Sequence, residues 1–193
     1  MIKPDILLIS GKSGSGKGTA GNLLNSLLSP LYNNVIQCSL STYIRELCFN
    51  DFYWNGFDTP ESRKLMAEIY RVGIEFYPYH MARRVWERDI MPYVGYATES
   101  IALIESFREK VNYDFFKKLQ KKNLVDSIIT LRINRPNYNV AGDELNQHAS
   151  ETDLDNFVFD IIVENNGTIE ELKDKLQKQV KIYIKNIISN KVI

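Results

Sequence analysis

The stretch Gly11-Lys12-Ser13-Gly14-Ser15-Gly16-Lys17-Gly18-Thr19 combines residue types and spacing that suit chemistry on an anion. Gly11, four residues, then Gly16 and Lys17 is the pattern of a phosphate-binding loop, a backbone bent so tightly that successive N–H groups face phosphate oxygens. Gly11, Gly14 and Gly16 reach the positive φ that such a bend needs without a Cβ penalty. Lys17 supplies a mobile ammonium that follows charge on β- and γ-phosphates. A helix opening near Gly16 adds unpaired amides and the positive end of its dipole. The hydroxyl that usually follows the lysine and reaches Mg²⁺ is replaced by Gly18, so it comes from Thr19 or from neither.

Two glycines and a lysine at these offsets arise by chance in roughly one chain in twenty of this length, so the flanking elements decide. A buried strand must precede the loop and an amphipathic helix must follow it. Ile6-Leu7-Leu8-Ile9 is a continuous apolar run, and Ala20, Leu23, Leu24, Leu27 and Leu28 repeat at helical spacing. Beyond Ser29-Pro30, Val35–Cys38 reads as a second strand, followed by a short helix with Ile44, Leu47 and Cys48 on one face. Thr59 as N-cap and Pro60 at the first helical position open a longer helix, with Leu65, Ile69, Val72 and Phe76 on its inward face. A further helix, Tyr79 to Ile90, turns Met81, Val85 and Trp86 inward and leaves Arg83, Arg84 and Arg88 available for charge.

Ile101–Ile104 reads as a strand ending at Glu105-Ser106, against a competing helix from Thr98, because the helical run Val111, Phe115, Leu119 needs a strand to cross over from. Val125–Ile133 is the next strand. The polar stretch 134–156 is too long for a connection in a compact domain unless it is a lid or an insert. Phe157–Val163 is the last strand, and Thr168 caps a terminal helix with Leu172, Leu176, Val180, Ile184 and Ile187 on one face. The order predicts an α/β fold, a doubly wound parallel sheet of about five strands with helices on both faces.

At 193 residues the chain is about one domain and buries roughly 70% of its unfolded surface. Lys plus Arg equal Asp plus Glu at 24 each, so no global field favours nucleic acid, and no basic stripe supplies a local one. Cys38 and Cys48 lack a partner at metal-ligand spacing and read as reduced core thiols, which fits the cytoplasm. The chain enters a core strand by Ile6 and has no apolar run of membrane-spanning length, so neither a signal peptide nor a membrane partner is expected.

Phosphoryl transfer needs positive charge at the strand ends more than covalent groups, because the migrating phosphoryl spreads its charge over its oxygens. Arg108 follows the third strand, Arg132 and Arg135 bracket the start of the polar stretch, and Arg45 and Arg63 lie in helices after the second strand. For each the competing reading is an exposed, salt-bridged arginine. His148, with only His80 for company, reads as a lid contact rather than a catalytic group. Phe49, Phe52, Tyr53, Trp54 and Phe57 read as core, with base stacking as the alternative.

The Gly16-Lys17-Gly18-Thr19 ending resembles nucleoside monophosphate kinases of the adenylate-kinase type more than GTPases or motor ATPases. Ser106-Phe107-Arg108, Arg132 and Arg135-Pro136, His148-Ala149-Ser150-Glu151, and Phe159-Asp160 leading to Asn165-Asn166-Gly167-Thr168-Ile169-Glu170-Glu171-Leu172 together resemble deoxynucleoside monophosphate kinases of bacteriophage type and their bacterial relatives. The likeness spans most of the chain. It implies a single P-loop kinase domain of three α/β/α layers, with about 43–95 as the helical acceptor-binding region and about 134–156 as a lid.

The resemblance also implies transfer from ATP, with Mg²⁺, to a (deoxy)nucleoside monophosphate, so the partners are nucleotides, and a homodimer stays open. Under it Gly11, Lys12, Ser13, Gly14, Ser15, Gly16, Lys17, Gly18 and Thr19 hold ATP. Lys17, Arg132 and Arg135 meet transition-state charge; Arg45, Arg63 and Arg108 grip the acceptor phosphate; Thr19 and Glu105 face the metal. The family places an aspartate two residues before its arginine, where this chain has Ser106 beside Glu105. Either Glu105 substitutes through a register change or metal handling is weakened. Two alternatives remain: another small acceptor (phosphomevalonate, a sugar acid or dephospho-coenzyme A), or a regulatory relative that binds nucleotide with little turnover. No Asn-Lys-x-Asp stretch supports a GTPase.

Overall fold

The computed structural model describes residues 2–94, 98–136 and 153–191. Along the chain run β1 (Asp5–Ser10), α1 (Lys17–Leu28), β2 (Asn34–Ser39), α2 (Thr42–Asp51), α3 (Pro60–Phe76) and α4 (His80–Val85), the last continued by a π turn over Trp86–Ile90. Then come β3 (Ser100–Phe107), α5 (Lys110–Lys121), β4 (Ile128–Asn134), β5 (Ile161–Glu164) and α6 (Ile169–Lys191). Among the described residues the five strands form one parallel sheet in the order β2-β3-β1-β4-β5.

Every residue of the central β1 is buried, and a strand covered on both faces reads as an unbroken apolar run. Ile6 and Leu8 face one layer with Ala102, Ile104 and Phe107, packed under α2, α4 and α5. Leu7 and Ile9 face the other with Ile101, Leu103, Leu131 and Ile133, packed under α1 and α6. This is the expected three-layer α/β/α architecture. At the amino end of β1, buried Asp5 accepts hydrogen bonds from Tyr32 Oη (3.0 Å) and Ser127 Oγ (2.6 Å), which gives its carboxylate partners inside the sheet.

The helical region between β2 and β3 departs from expectation. α3 opens as read, with Thr59 Oγ1 accepting from Ser62 N–H (3.2 Å) and Ser62 Oγ accepting from Thr59 N–H (2.9 Å). Its Leu65, Met66, Ile69 and Tyr70 pack only partly against the core, while Val72 and Phe76, expected inward, are 56% and 92% exposed. The helix runs past the edge of the core, so its apolar stripe outlasts the surface that could cover it. Phe49, Phe52, Tyr53 and Phe57 are likewise exposed rather than core, and only Trp54 is half-buried. Arg83, Arg84 and Arg88 are engaged locally, by Glu87, by the Tyr43 ring, and by Glu46 and Asp89.

Three strand limits also shift. β4 begins at Ile128, not Val125. β5 begins at Ile161, because Phe157 and Phe159 leave the ladder to stack edge-on with Phe107 (5.6 and 6.2 Å) and with each other. β3 continues through Phe107, past the expected end at Glu105-Ser106. The lid expected over about 134–156 lies mostly outside the described residues, as does His148. Among the described residues no helix is long and apolar enough to cross a membrane.

Candidate functional site

The glycine loop joins the carboxyl end of β1 to α1, where the strand order reverses between β3 and β4. Open α/β sheets bind ligands at such a reversal. Gly11, Gly14 and Gly16 take φ of 152°, 71° and 94°, so all three use the backbone freedom expected of them. Gly11 has a second constraint: a Cβ there would come within 2.5 Å of both the Ile133 carbonyl and Ser15 Oγ. The Lys17 ammonium folds back over the loop and donates to the carbonyls of Gly11 (2.6 Å) and Lys12 (2.8 Å). Ser15 is 3% exposed, and its Oγ is a buried polar atom without a hydrogen-bond partner among the described residues. Such an orphan costs roughly 1–3 kcal/mol, and a phosphate oxygen in the loop would relieve it.

β3 carries a β-bulge beside the loop: β1 pairs Leu8 with Ile104 but Ser10 with Phe107, and Ser106 absorbs the extra residue at φ 61°. One alternative from the sequence has Glu105 substituting through a register change; the bulge lies beyond Glu105, which stays in register with Ser39 of β2. Glu105 keeps the parity of Ile101 and Leu103 and faces α1. A Cβ on Gly21 would fall 2.4 Å from Glu105 Oε1, and one on Gly18 would fall 3.7 Å from Oε2. Gly18 and Gly21 lie on one side of α1, and the missing side chain at Gly21 makes room for this carboxylate, whereas a Cβ on Gly18 would meet it at ordinary contact distance. Gln37 Nε2 holds it from β2 (2.8 Å) and also donates to Asn22 Oδ1 (2.9 Å). Thr19 lies about 100° further around α1 from Gly18, in an exposed position of the first turn.

The arginines sort by position. Arg135 Nη1 donates to the Gly14 carbonyl (3.3 Å), which brings it onto the loop itself. Arg132 sits beside Ser10 in the β1–β4 ladder, but its guanidinium donates to the Leu154 carbonyl and to Asp155 (both 3.0 Å) and stacks on Phe159 (5.4 Å). It braces the 154–155 turn rather than reaching the loop. Arg108 follows β3 near Tyr70 of α3, whose Oη donates to Glu109 Oε2 (2.5 Å); burial first, then the Glu109 carboxylate, pushes the Tyr70 phenol well up. Arg63 lies in the first turn of α3. Arg45 on α2 pairs with Asp58 (3.3 Å) and lies over Trp54. At the ends of β2 and β3, Ser39, Ser41 and Ser106 gather their hydroxyls within 3.0–3.3 Å of one another.

Sequence reasoning missed several of these partners. Gln37 read only as part of the second strand, and Asn165 only as part of the run to Leu172 that carries the resemblance; Asn165 Nδ2 donates to the Ser15 carbonyl at 2.9 Å. The signal that could have found both is position, since Gln37 lies toward the carboxyl end of β2 and Asn165 directly follows the carboxyl end of β5. Cys38 and Cys48 are free thiols, and burial first, then Asp89 and Glu105, pushes Cys38 up to about 12, so neither is a nucleophile at neutral pH.

No protein-family model matches the chain, and no curated protein matches it in sequence. Among solved structures, a thymidylate kinase from Ehrlichia chaffeensis is similar at TM-score 0.53 and 17% identity, over 92% of this chain and 99% of that one. A shikimate kinase from Aquifex aeolicus is similar at TM-score 0.50 and 15% identity, over 92% of this chain and 96% of that one. Likeness at these identities speaks to architecture: the chain has the three-layer α/β/α fold of the small P-loop kinases.

Proposed function

We propose that this protein transfers the γ-phosphoryl group of ATP to a nucleoside monophosphate, with deoxynucleotides as favoured acceptors, giving the diphosphate. The observation that carries this reading is the glycine loop at the sheet's reversal, with Lys17 lying across it, Arg135 on its outer carbonyl and an unpartnered Ser15 hydroxyl inside it. Loop amides and the α1 amino end would bind the β-phosphate, and Lys17 would leave its own carbonyls for the migrating charge. An oxygen of the acceptor phosphate forms the new P–O bond, the bond to the β-phosphate oxygen breaks, and ADP leaves. A phosphate ester with its second pKa near 6 is already ionised at neutral pH, so this acceptor needs no general base. That suits a site whose carboxylate, Glu105, is turned toward α1.

Mg²⁺, when bound, neutralises charge shared by the β- and γ-phosphate oxygens. Among the described residues no three His, Cys, Asp or Glu side chains gather into a cage for a metal ion. One carboxylate plus substrate phosphates is an ordinary Mg²⁺ arrangement; Glu105, beside Gly18 and Gly21 of α1, would supply the carboxylate, and Thr19, further around the same first turn, is the proposed hydroxyl. Arg108, Arg63 and Arg45 are the proposed grips on the acceptor, and Arg132 acts through the turn it braces. A second reading, transfer to a hydroxylated acceptor such as a sugar acid, is favoured by the three serine hydroxyls at the ends of β2 and β3. A coupled assay with ATP against AMP, the four deoxynucleoside monophosphates and a set of sugar acids separates the two. Turnover of at least one monophosphate is expected; ATP binding with no turnover of any monophosphate would end the lead reading.

A further inference from the structure

Resting on the polyphosphate reading of the loop, we propose that Asn165 is a positioning residue that holds the loop amides in their phosphate-facing orientation. A trans peptide points its C=O and its N–H in opposite directions. In a phosphate-binding loop the amides must face in, so the carbonyls must face out and need donors there. Asn165 Nδ2 is such a donor: it lies 2.9 Å from the Ser15 carbonyl, which turns the Gly16 N–H to the opposite side of that peptide. Its side-chain amide is packed hard against the loop, since a Cβ on Gly16 would fall 2.4 Å from Asn165 Nδ2. Gly16, at φ 94°, therefore answers to two constraints at once.

Asn165 is itself held firmly. Its backbone N–H donates to the Asn134 carbonyl at 2.6 Å, which continues the β4–β5 ladder by one step. From α6, Lys175 Nζ donates to the Glu164 carbonyl (2.9 Å) and to Asn166 Oδ1 (2.8 Å), fixing the residues on either side. The loop's geometry is thus set partly by the far end of the sheet, through one side-chain amide that acts on peptide orientation and not on the nucleotide base.

The test is calorimetric titration of wild type, Asn165→Leu and Asn165→Ala with MgATP and with inorganic tripolyphosphate, which has no base. Leu keeps the shape of Asn and removes the donor. Both variants should lose about tenfold in affinity for both ligands, the scale of one hydrogen bond. A donor-retaining Asn165→Gln variant should recover part of it. Leu binding like wild type while Ala weakens would make the role one of shape; loss for ATP alone would make it a base contact; no change would remove it. Each of these overturns the inference while leaving the loop reading intact, whereas a wild type that binds neither ligand ends both. Should the variants fail to fold, nitrogen-15 NMR of wild type decides: the Asn165 side-chain amide protons should exchange slowly with solvent, and fast exchange would overturn the proposal.

Discussion

At the scale of single residues, Lys17 carries the charge proposed to follow the phosphoryl group. Its ammonium donates hydrogen bonds to the carbonyl oxygens of Gly11 and Lys12, within the same bend that would receive a polyphosphate. Removing a preorganised electrostatic donor of this kind costs about a hundredfold or more in turnover. Lys17→Ala should therefore lower kcat by at least about that factor with the thermal midpoint close to wild type; a variant with unchanged kcat would show that the ammonium meets no developing charge. Lys17 was legible because the glycine spacing sits between an apolar strand run and a helical leucine pattern, the two elements such a bend requires. Asn165 was not, because its contact joins residues 150 apart in sequence and depends on how β5 ends.

At the scale of elements, the meeting of α1 with β3 is the most particular feature. An alanine inside a helix is ordinarily better than glycine by about 1 kcal/mol. At Gly21 the added Cβ would fall 2.4 Å from Glu105 Oε1, and the carboxylate must swing away. Gly21→Ala should keep or raise the thermal midpoint while increasing the Mg²⁺ concentration needed for half-maximal rate; an unchanged Mg²⁺ dependence would separate Glu105 from the metal. Glu105 faces α1 by plain strand alternation from Ile101 and Leu103; the bulge after it, at Ser106, was visible in sequence only as an unresolved choice, since a positive φ at serine has no compositional signature. The α3 stripe shows the opposite limit. Periodicity announced an apolar face through Val72 and Phe76, but whether a face finds a partner depends on where the core ends.

At the scale of the whole molecule, the parallel sheet was readable because strands buried on both faces leave unbroken apolar runs between helical periods. The same burial sets a pH response. Tyr32, Tyr70 and Cys38 are all pushed up, by burial first and then by neighbouring carboxylates, so the folded chain keeps protons that the unfolded chain releases. For acids shifted in this direction the stabilisation is full below the unfolded value and is lost as pH climbs through the folded one. With Cys38 moving from 9.0 to about 12, the urea midpoint should fall across that window, and Cys38→Ala should flatten part of the fall; a profile level over the window would show that these groups stay protonated equally in both states. If two phosphate-bearing substrates meet end to end at the loop, as proposed, a single titration decides it: a dinucleoside pentaphosphate, which spans donor and acceptor, against ATP alone. The bridged ligand should bind at least about a hundredfold more tightly, as linked occupancy of two adjoining subsites requires. Binding no tighter than ATP would contradict it.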